Sequence, residues 1–258
     1  MPRSLHGGRH ELGQNFLTHR PTLSRITALV RRTSGSILEL GAGDGALTRS
    51  LAELGRPLTA IDIDEHRVAR LRRVLPGVRV EPADATRYPF DADVVVGNIP
   101  FHLTTPILRR LLATGSWGHA VLLTQWEVAR KRAGVGGSTM MTAQSAPWFD
   151  FELQGRVPSW GFSPQPSVDG GVLTISRRST ALIPRSERRA YEAFVRAAFT
   201  GRGSSLAVVI AGAARVDIDA ARQALAHAGV STRSLPRDLQ GEQWSIVWPH
   251  LSRKTTRR

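Results

Sequence analysis

The sequence predicts an α/β fold: a mostly parallel sheet of seven strands with helices on both faces, followed by a small helical domain. Three features of the 258-residue chain lead there. Short runs rich in Val, Ile and Leu alternate with amphipathic stretches through residue 133, as parallel strands joined by helical crossovers do. Two further β-rich runs, 148–157 and 171–176, flank a proline-rich loop and read as a closing hairpin. Beyond residue 178 helical patterns replace strand patterns. The expected division is therefore a domain over 1–178 and a second over 179–258.

Composition narrows the function. With 41% hydrophobic residues the chain can bury a sizeable core, yet no run reaches the ~18 apolar residues of a membrane span. The first ten residues lack the apolar stretch of a secretory signal, so a cytoplasmic protein with no membrane partner is expected. Cysteine is absent, which excludes disulfides and thiolate metal sites, and no metal site is predicted. Net charge is +14 and the pI about 11.6, the footprint of a polyanion binder. Lys131 and Lys254 are the only lysines. Codon bias accounts for Arg over Lys but not for the excess of positive charge.

In chain order, residues 1–11 are polar and expected to be mobile. Gln14-Asn15-Phe16-Leu17 reads equally as a loop packed on the sheet and as a lid whose amides meet a ligand. A helix follows over 21–32, with Pro21 in its first turn and Leu23, Ile26, Leu29 and Val30 at helical spacing. The strand 36–40 runs into Gly41-Ala42-Gly43-Asp44-Gly45, where glycines let backbone N–H groups approach a ligand at the start of the helix 46–54. The spacing G-x-G-x-G is not the dinucleotide fingerprint. The strand 58–63 ends in Asp62, 23 residues after Glu39, near the offset of an acid that accepts from a ribose hydroxyl. Asp64 is expected to cap the helix 65–74. After the third strand, 78–81, Asp84 suits a solvated turn and an adenine amine equally.

The fourth strand reads Asp93-Val94-Val95-Val96-Gly97 and stops at Asn98-Ile99-Pro100-Phe101. Three β-branched residues fit a strand buried on both faces, and Pro100 takes the chain out of the sheet. An amide, exposed carbonyls and an aromatic face then sit at a strand's carboxyl end, where open α/β sheets bind ligands. Together they suit a planar base with an exocyclic amine. Thr104 or Thr105 is expected to cap the next helix, and 120–124 is the fifth strand. The helix 126–133 carries Arg130, Lys131 and Arg132, ahead of a flexible break at 134–138. The loop 158–169 bears Trp160 and Phe162 among prolines; Phe162 is expected to stack on a base opposite Phe101, while Trp160 stays undecided. Helices are expected over 186–199, 204–214 and 217–228, then a last segment from Pro236 and a disordered tail over 253–258. Residues 179–258 hold 13 basic and 6 acidic side chains.

The order of these motifs is specific: Q-N-F-L, a helix, E-L-G-A-G-D-G, I-D-I-D, A-D-A, G-N-I-P-F, then F-S-P-Q-P-S-V. Over residues 9–178 the chain resembles the ribosomal RNA adenine-N6 methyltransferases, and within them the erythromycin-resistance enzymes acting on 23S rRNA. The resemblance implies a Rossmann-like seven-stranded methyltransferase sheet and S-adenosyl-L-methionine as cofactor. It implies that Asn15 and Leu17 close over the cofactor, and that Gly41, with Ala42 and Gly43, lies beside its methionine part. It further implies that Asp62, with Ile63, binds the ribose, that Asp84, with Ala85, binds the adenine amine, and that Asn98 lies between cofactor and substrate. Two positions depart from the family: Asp62 is often Glu, and Phe101 is often Tyr, so no phenolic proton takes part.

The expected chemistry needs no side-chain base. Acceptors at Asn98 and at a carbonyl of the turn through Pro100 hold the two N6 protons and free the lone pair, while Phe101 and Phe162 stack on the flipped base. RNA is gripped by Arg3, Arg9, the Arg130-Lys131-Arg132 cluster and the C-terminal helices. The expected substrate is protein-free or pre-ribosomal 23S rRNA, and the expected state a monomer. The alternatives are a small-subunit rRNA adenine dimethylase and a non-catalytic RNA-binding factor of methyltransferase fold.

Overall fold

The computed structural model describes residues 15–114 and 116–255, with side chains through residue 252. Arg3, Arg9 and Gln14 lie outside them. Strand β1 (Phe16–Leu17) precedes α1 (Arg20–Arg31), which carries Pro21 in its first turn. There follow β2 (Ile37–Leu40), α2 (Ala46–Ala52), β3 (Leu58–Asp62), α3 (Glu65–Val74), β4 (Arg79–Pro82) and β5 (Val94–Asn98). Next come α4 (Thr104–Ala113), β6 (His119–Gln125), α5 (Trp126–Arg132) and α6 (Met140–Ser145). The hairpin is β7 (Phe149–Val157) and β9 (Gly170–Arg177), with the short β8 (Phe162–Ser163) between them. Helices α7 (Arg188–Thr200), α8 (Leu206–Ala214), α9 (Ile218–His227) and α10 (Gly241–Thr255) complete the chain.

Seven strands form one sheet in the order β4-β3-β2-β5-β6-β9-β7. Strands β4, β3, β2, β5 and β6 run parallel, and β9 lies antiparallel to β6. Val94, Val95 and Val96 are fully buried, as their β-branched run requires. The strand order reverses between β2 and β5. That switch point opens a crevice at the carboxyl ends of those two strands, where the glycine turn and Asn98 emerge.

The chain divides into two compact units, Met1–Ala129 with Leu153–Ser176, and Arg130–Glu152 with Arg177–Arg258. The second is not simply the sequence after residue 178, because 130–152 belong to it. Its α6 packs on α7: the Tyr191 hydroxyl donates to Ala143 O and Gln144 Nε2 to Glu192 O. Its core is aromatic, with Trp148, Tyr191, Phe194, Trp244 and Trp248 in ring contact. Helix α10 continues through Thr255, so the basic tail begins as helix rather than as disordered chain.

Local expectations hold at the α3 cap and differ elsewhere. Asp64 caps α3, accepting from the N–H groups of His66 and Arg67. Neither Thr104 nor Thr105 caps α4; the hydroxyl of Thr104 is buried and bonds the Thr124 hydroxyl at 2.7 Å. A buried hydroxyl partner on β6 replaces the helix N–H that a solvated Thr would take. Helix α6 and the β1–β8 ribbon were not foreseen.

Gly97 shows how tightly the switch point is built. A Cβ there would lie 2.7 Å from Leu40 O and 3.0 Å from Ile99 Cδ1. Gly97→Ala is expected to overpack β2 against β5 and to destabilise the protein by about 1–3 kcal/mol, read as a lower midpoint in denaturant unfolding; an unchanged midpoint would refute the tight fit.

Candidate functional site

A cleft opens at the switch point. It is lined by Asn15, Phe16, Gly41, Gly43, Asp62, Asn98, Ile99, Pro100 and Phe101. Seven residues picked from the sequence for catalysis or cofactor binding therefore meet in one place: Asn15, Gly41, Gly43, Asp62, Asn98, Pro100 and Phe101. Leu17, Ala42, Ile63, Asp84, Ala85 and Phe162 lie outside the lining. Leu17 and Ala42 are buried in the core. Asp84 is a neighbour, since Ala83 N donates to the carbonyl of Asp62 at 2.9 Å.

The glycine turn takes its shape from left-handed backbone at Gly41, Gly43 and Gly45, with φ of 73°, 55° and 80°, a region side chains disfavour. The N–H groups of Gly41, Ala42, Gly43 and Gly45 are consumed internally. Those of Gly41 and Ala42 both donate to Ile61 O, and Gly43 N donates to Asp62 Oδ2 at 2.7 Å. The sequence-based expectation that these donors meet a ligand is thus corrected: the turn supplies room, not N–H groups.

What the cleft does offer is acceptors. Asp62 is buried and takes main-chain N–H groups on both oxygens, from Gly43 and from Asp64 at 2.9 Å. A carboxylate accepts about four such bonds, so capacity remains for hydroxyl donors. Burial pushes the Asp62 carboxyl above its ordinary range, and the two backbone bonds and Arg67 offset this only in part. Asn98 Nδ2 donates to Asn15 O at 2.7 Å. That bond fixes the amide's orientation and leaves Oδ1 as its acceptor. The main-chain O of Asn98 faces the turn, 3.7 Å from where a Gly41 Cβ would stand. Pro100 O is engaged by Leu103 N at 2.8 Å. Asp84 accepts from the Thr86 N–H and hydroxyl, each at 2.7 Å. Burial raises its carboxyl, but those bonds with Arg87 and Arg110 outweigh it and hold it below the usual range.

The aromatic arrangement differs from a sandwich. Phe162 is 3% exposed, and its ring abuts Gly170, whose added Cβ would lie 2.8 Å away. It meets Phe101 edge to face, with centroids 6.3 Å apart and planes at 75°. Of these two rings, only Phe101 lines the cleft. The basic cluster also differs from three free cations. Arg130 donates to Val135 O and Arg132 to the Thr139 hydroxyl, bracing their own loop, while Lys131 is exposed.

Two participants escaped the sequence reading. Phe16 lines the cleft, pressed within 3.0 Å of a Gly43 Cβ position, with the Arg67 guanidinium 4.3 Å above its ring. Glu39 is buried in β2, with Oε2 lacking a hydrogen-bond partner. The signal for Glu39 was present, an acid within the apolar run I-L-E-L; Phe16 lies inside the candidate lid 14–17, where only Asn15 and Leu17 are assigned to the cofactor. Desolvation raises the Glu39 carboxyl to about 8, with Thr48 lowering it and Asp62 raising it further.

Comparison with known proteins places the chain. The ribosomal RNA adenine dimethylase family model matches residues 5–247. An rRNA adenine N-6-methyltransferase of Corynebacterium diphtheriae is 50% identical over 79% of this chain and 82% of its own length. The mycinamicin-resistance protein MyrB of Micromonospora griseorubida is 47% identical over 94% of this chain and 78% of its own. The crystal structure of the 23S rRNA methyltransferase ErmE superposes with a TM-score of 0.85 at 31% identity, over 92% of this chain and all of that one. The chain belongs to the ribosomal RNA adenine dimethylase family, and its sheet is that of a Rossmann-like methyltransferase.

The raised Glu39 carboxyl sets a pH dependence. Below about 4.5 both folded and unfolded chains hold the proton; between about 4.5 and about 8 only the folded chain keeps it. The folded state therefore binds more protons, and its stability falls as pH rises through that window. Glu39→Gln is expected to gain on the wild type in thermal midpoint from pH 4.5 to 8. Parallel midpoint profiles would show that Glu39 does not titrate there.

Proposed function

We propose that this chain transfers the methyl group of S-adenosyl-L-methionine to N6 of an adenine in 23S rRNA, conferring resistance to macrolide, lincosamide and streptogramin B antibiotics. The observation that carries the reading is the orientation of Asn98. Its amide nitrogen is tied to Asn15 O, so its oxygen is presented as an acceptor beside the face of Phe101 and the glycine turn. An adenine amine needs that group.

The cleft's chemistry fits the cofactor. Acceptors without free turn donors suit a ligand with hydroxyls, an amine and positive charge. Asp62 would take the ribose hydroxyls, Asp84 the adenine amine, and Gly41 would leave room for the methionine part. Phe16 with Asn15, rather than Leu17, would close over it. Free space in the cleft is about 30 Å³, enough for a water molecule but not a nucleoside, so the Phe16 side chain swings aside on binding while Asn15 O keeps its bond to Asn98. When bound, the cofactor supplies an electrophilic methyl carbon on a sulfonium.

The rest is done by this chain's residues. The N6 lone pair is delocalised into the purine ring and is a poor nucleophile. Asn98 Oδ1 and a main-chain carbonyl of Asn98 or Ile99 accept hydrogen bonds from the two N6 protons and favour a pyramidal nitrogen; once the N–C bond forms, one of those protons is released to water. Phe101 stacks on the flipped ring, at about 1–3 kcal/mol per base, offsetting the unstacking cost. The gain is positional and electrostatic. Lys131 and the cationic surface hold the phosphates, so binding weakens steeply with salt.

The resistance function of one relative and the 23S rRNA substrate of the structural neighbour support the large-subunit reading over a small-subunit dimethylase. In the cytoplasm the chain would act as a monomer on protein-free or pre-ribosomal RNA. No helix among the described residues is long and apolar enough to cross a membrane.

Two measurements test this. Expression in a macrolide-sensitive bacterium is expected to raise the inhibitory concentration, with the modified adenine found in 23S rRNA by mass spectrometry; methyl groups in 16S rRNA alone would assign the small-subunit role. With labelled cofactor and protein-free 23S rRNA, Asn98→Ala is expected to lower kcat by about 100-fold or more. Retained turnover would exclude Asn98 as the acceptor.

A further inference from the structure

Six tryptophans occur in the chain, and Trp160 differs from the others. Its side chain is 65% exposed, and it is the only aromatic among the strongly exposed large hydrophobic side chains of the described residues. Trp117, Trp148, Trp244 and Trp248 are buried. An indole left in water forgoes the burial that most tryptophans obtain, so the position asks for a partner.

The ring stands on a rigid base. Trp160 sits in the middle of a one-turn 3-10 helix, Ser159–Gly161. Asp169 accepts from Ser159 N at 2.8 Å, and Gly161 N donates to Pro158 O at 2.9 Å. On the other side Gly161 O accepts from three donors: Thr18 N, His19 N and the Thr18 hydroxyl. The His19 ring meets the indole at a centroid distance of 4.9 Å, with planes at 88°. In an edge-to-face pair at most one indole face is covered, so at least one stays open to solvent. The backbone is thus fixed before anything binds, which keeps the entropic cost of using the ring small.

The turn also adjoins the cleft. Trp160 lies two residues before Phe162, so their Cα atoms are at most about 7 Å apart. Phe162 touches Phe101, which lines the cleft, and β8 pairs with β1, whose Phe16 lines it too. Exposed Arg20 follows His19 in the chain and adds positive charge. Because Phe162 is buried, Trp160 is the open aromatic of this loop.

We propose that Trp160 is a stacking platform for an unpaired RNA base next to the adenine presented to Asn98. The inference rests on the rRNA methyltransferase reading. It adds a second nucleotide subsite that favours single-stranded substrate. A flat indole reads any base face without hydrogen-bond selection, so the subsite holds the strand in place rather than reading its sequence.

The test uses the full-length protein, labelled cofactor and a hairpin RNA whose loop carries the mapped target adenine, with 2-aminopurine at the flanking position. Trp160→Ala is expected to raise KM for the RNA about 5–100-fold, leaving kcat and cofactor affinity within twofold. It should also abolish the quenching of 2-aminopurine seen with the wild type. Trp160→Phe is expected to recover most of both, because a smaller ring still stacks. Thermal midpoints of the variants check that they fold. An unchanged KM and undiminished quenching in Trp160→Ala, on RNA that the wild type methylates, would overturn the platform alone. So would lost resistance in cells with unchanged kinetics on naked RNA, which would assign the indole to a protein partner. Failure of the wild type to methylate any rRNA would instead bring down the activity on which the platform depends.

Discussion

The bond from Asn98 Nδ2 to Asn15 O is what the site depends on. It joins the end of β5 to a segment 83 residues earlier in the chain. An unrestrained carboxamide can present either its donor or its acceptor. Here a main-chain oxygen takes one of the two N–H donors and fixes the amide's orientation, which sets Oδ1 as the acceptor for a ligand. The same bond holds Asn15 and Phe16 across the cleft, so the group that selects the substrate also secures the cover.

Around that bond the electrostatics are arranged against ordinary stability. Two acids, Glu39 and Asp62, are buried near each other in adjacent strands, and burial raises both carboxyls. Backbone N–H groups satisfy Asp62, whereas one oxygen of Glu39 has no partner. A fold selected only for stability would place apolar side chains in both positions. Their retention beneath the glycine turn matches a site built to receive hydroxyls and positive charge.

Much of this was legible in the sequence because the signals were local. Val94 to Val96 marked a strand buried on both faces, Pro100 marked its exit, and Asp64 marked a cap. The acid at the end of β3 followed from its offset to Glu39. What could not be read depended on distant partners. Pairing of Phe16–Leu17 with Phe162–Ser163 spans most of the first unit. Thr104 looks like a cap until Thr124 is brought beside it. The glycine turn looks like a donor cradle until Ile61 and Asp62 are seen to take its N–H groups. The prolines around Phe162 stiffen its loop, but stiffness does not decide which way a ring faces, and Phe162 faces the core. Arg130 and Arg132 looked like free cations because their loop acceptors lie beyond the helix that carries them.

The interleaving of the two units has a consequence of its own. Residues 130–152 leave the first unit, contribute α6 to the second, and return along β7; only after β9 does the chain leave again. No single cut yields either unit whole. A shortened gene ending after β9 would encode α6 without α7, the helix it leans on. The helical part therefore cannot be shuffled onto another catalytic core by simple fusion, and gain or loss of that part in evolution requires two coordinated junctions instead of one.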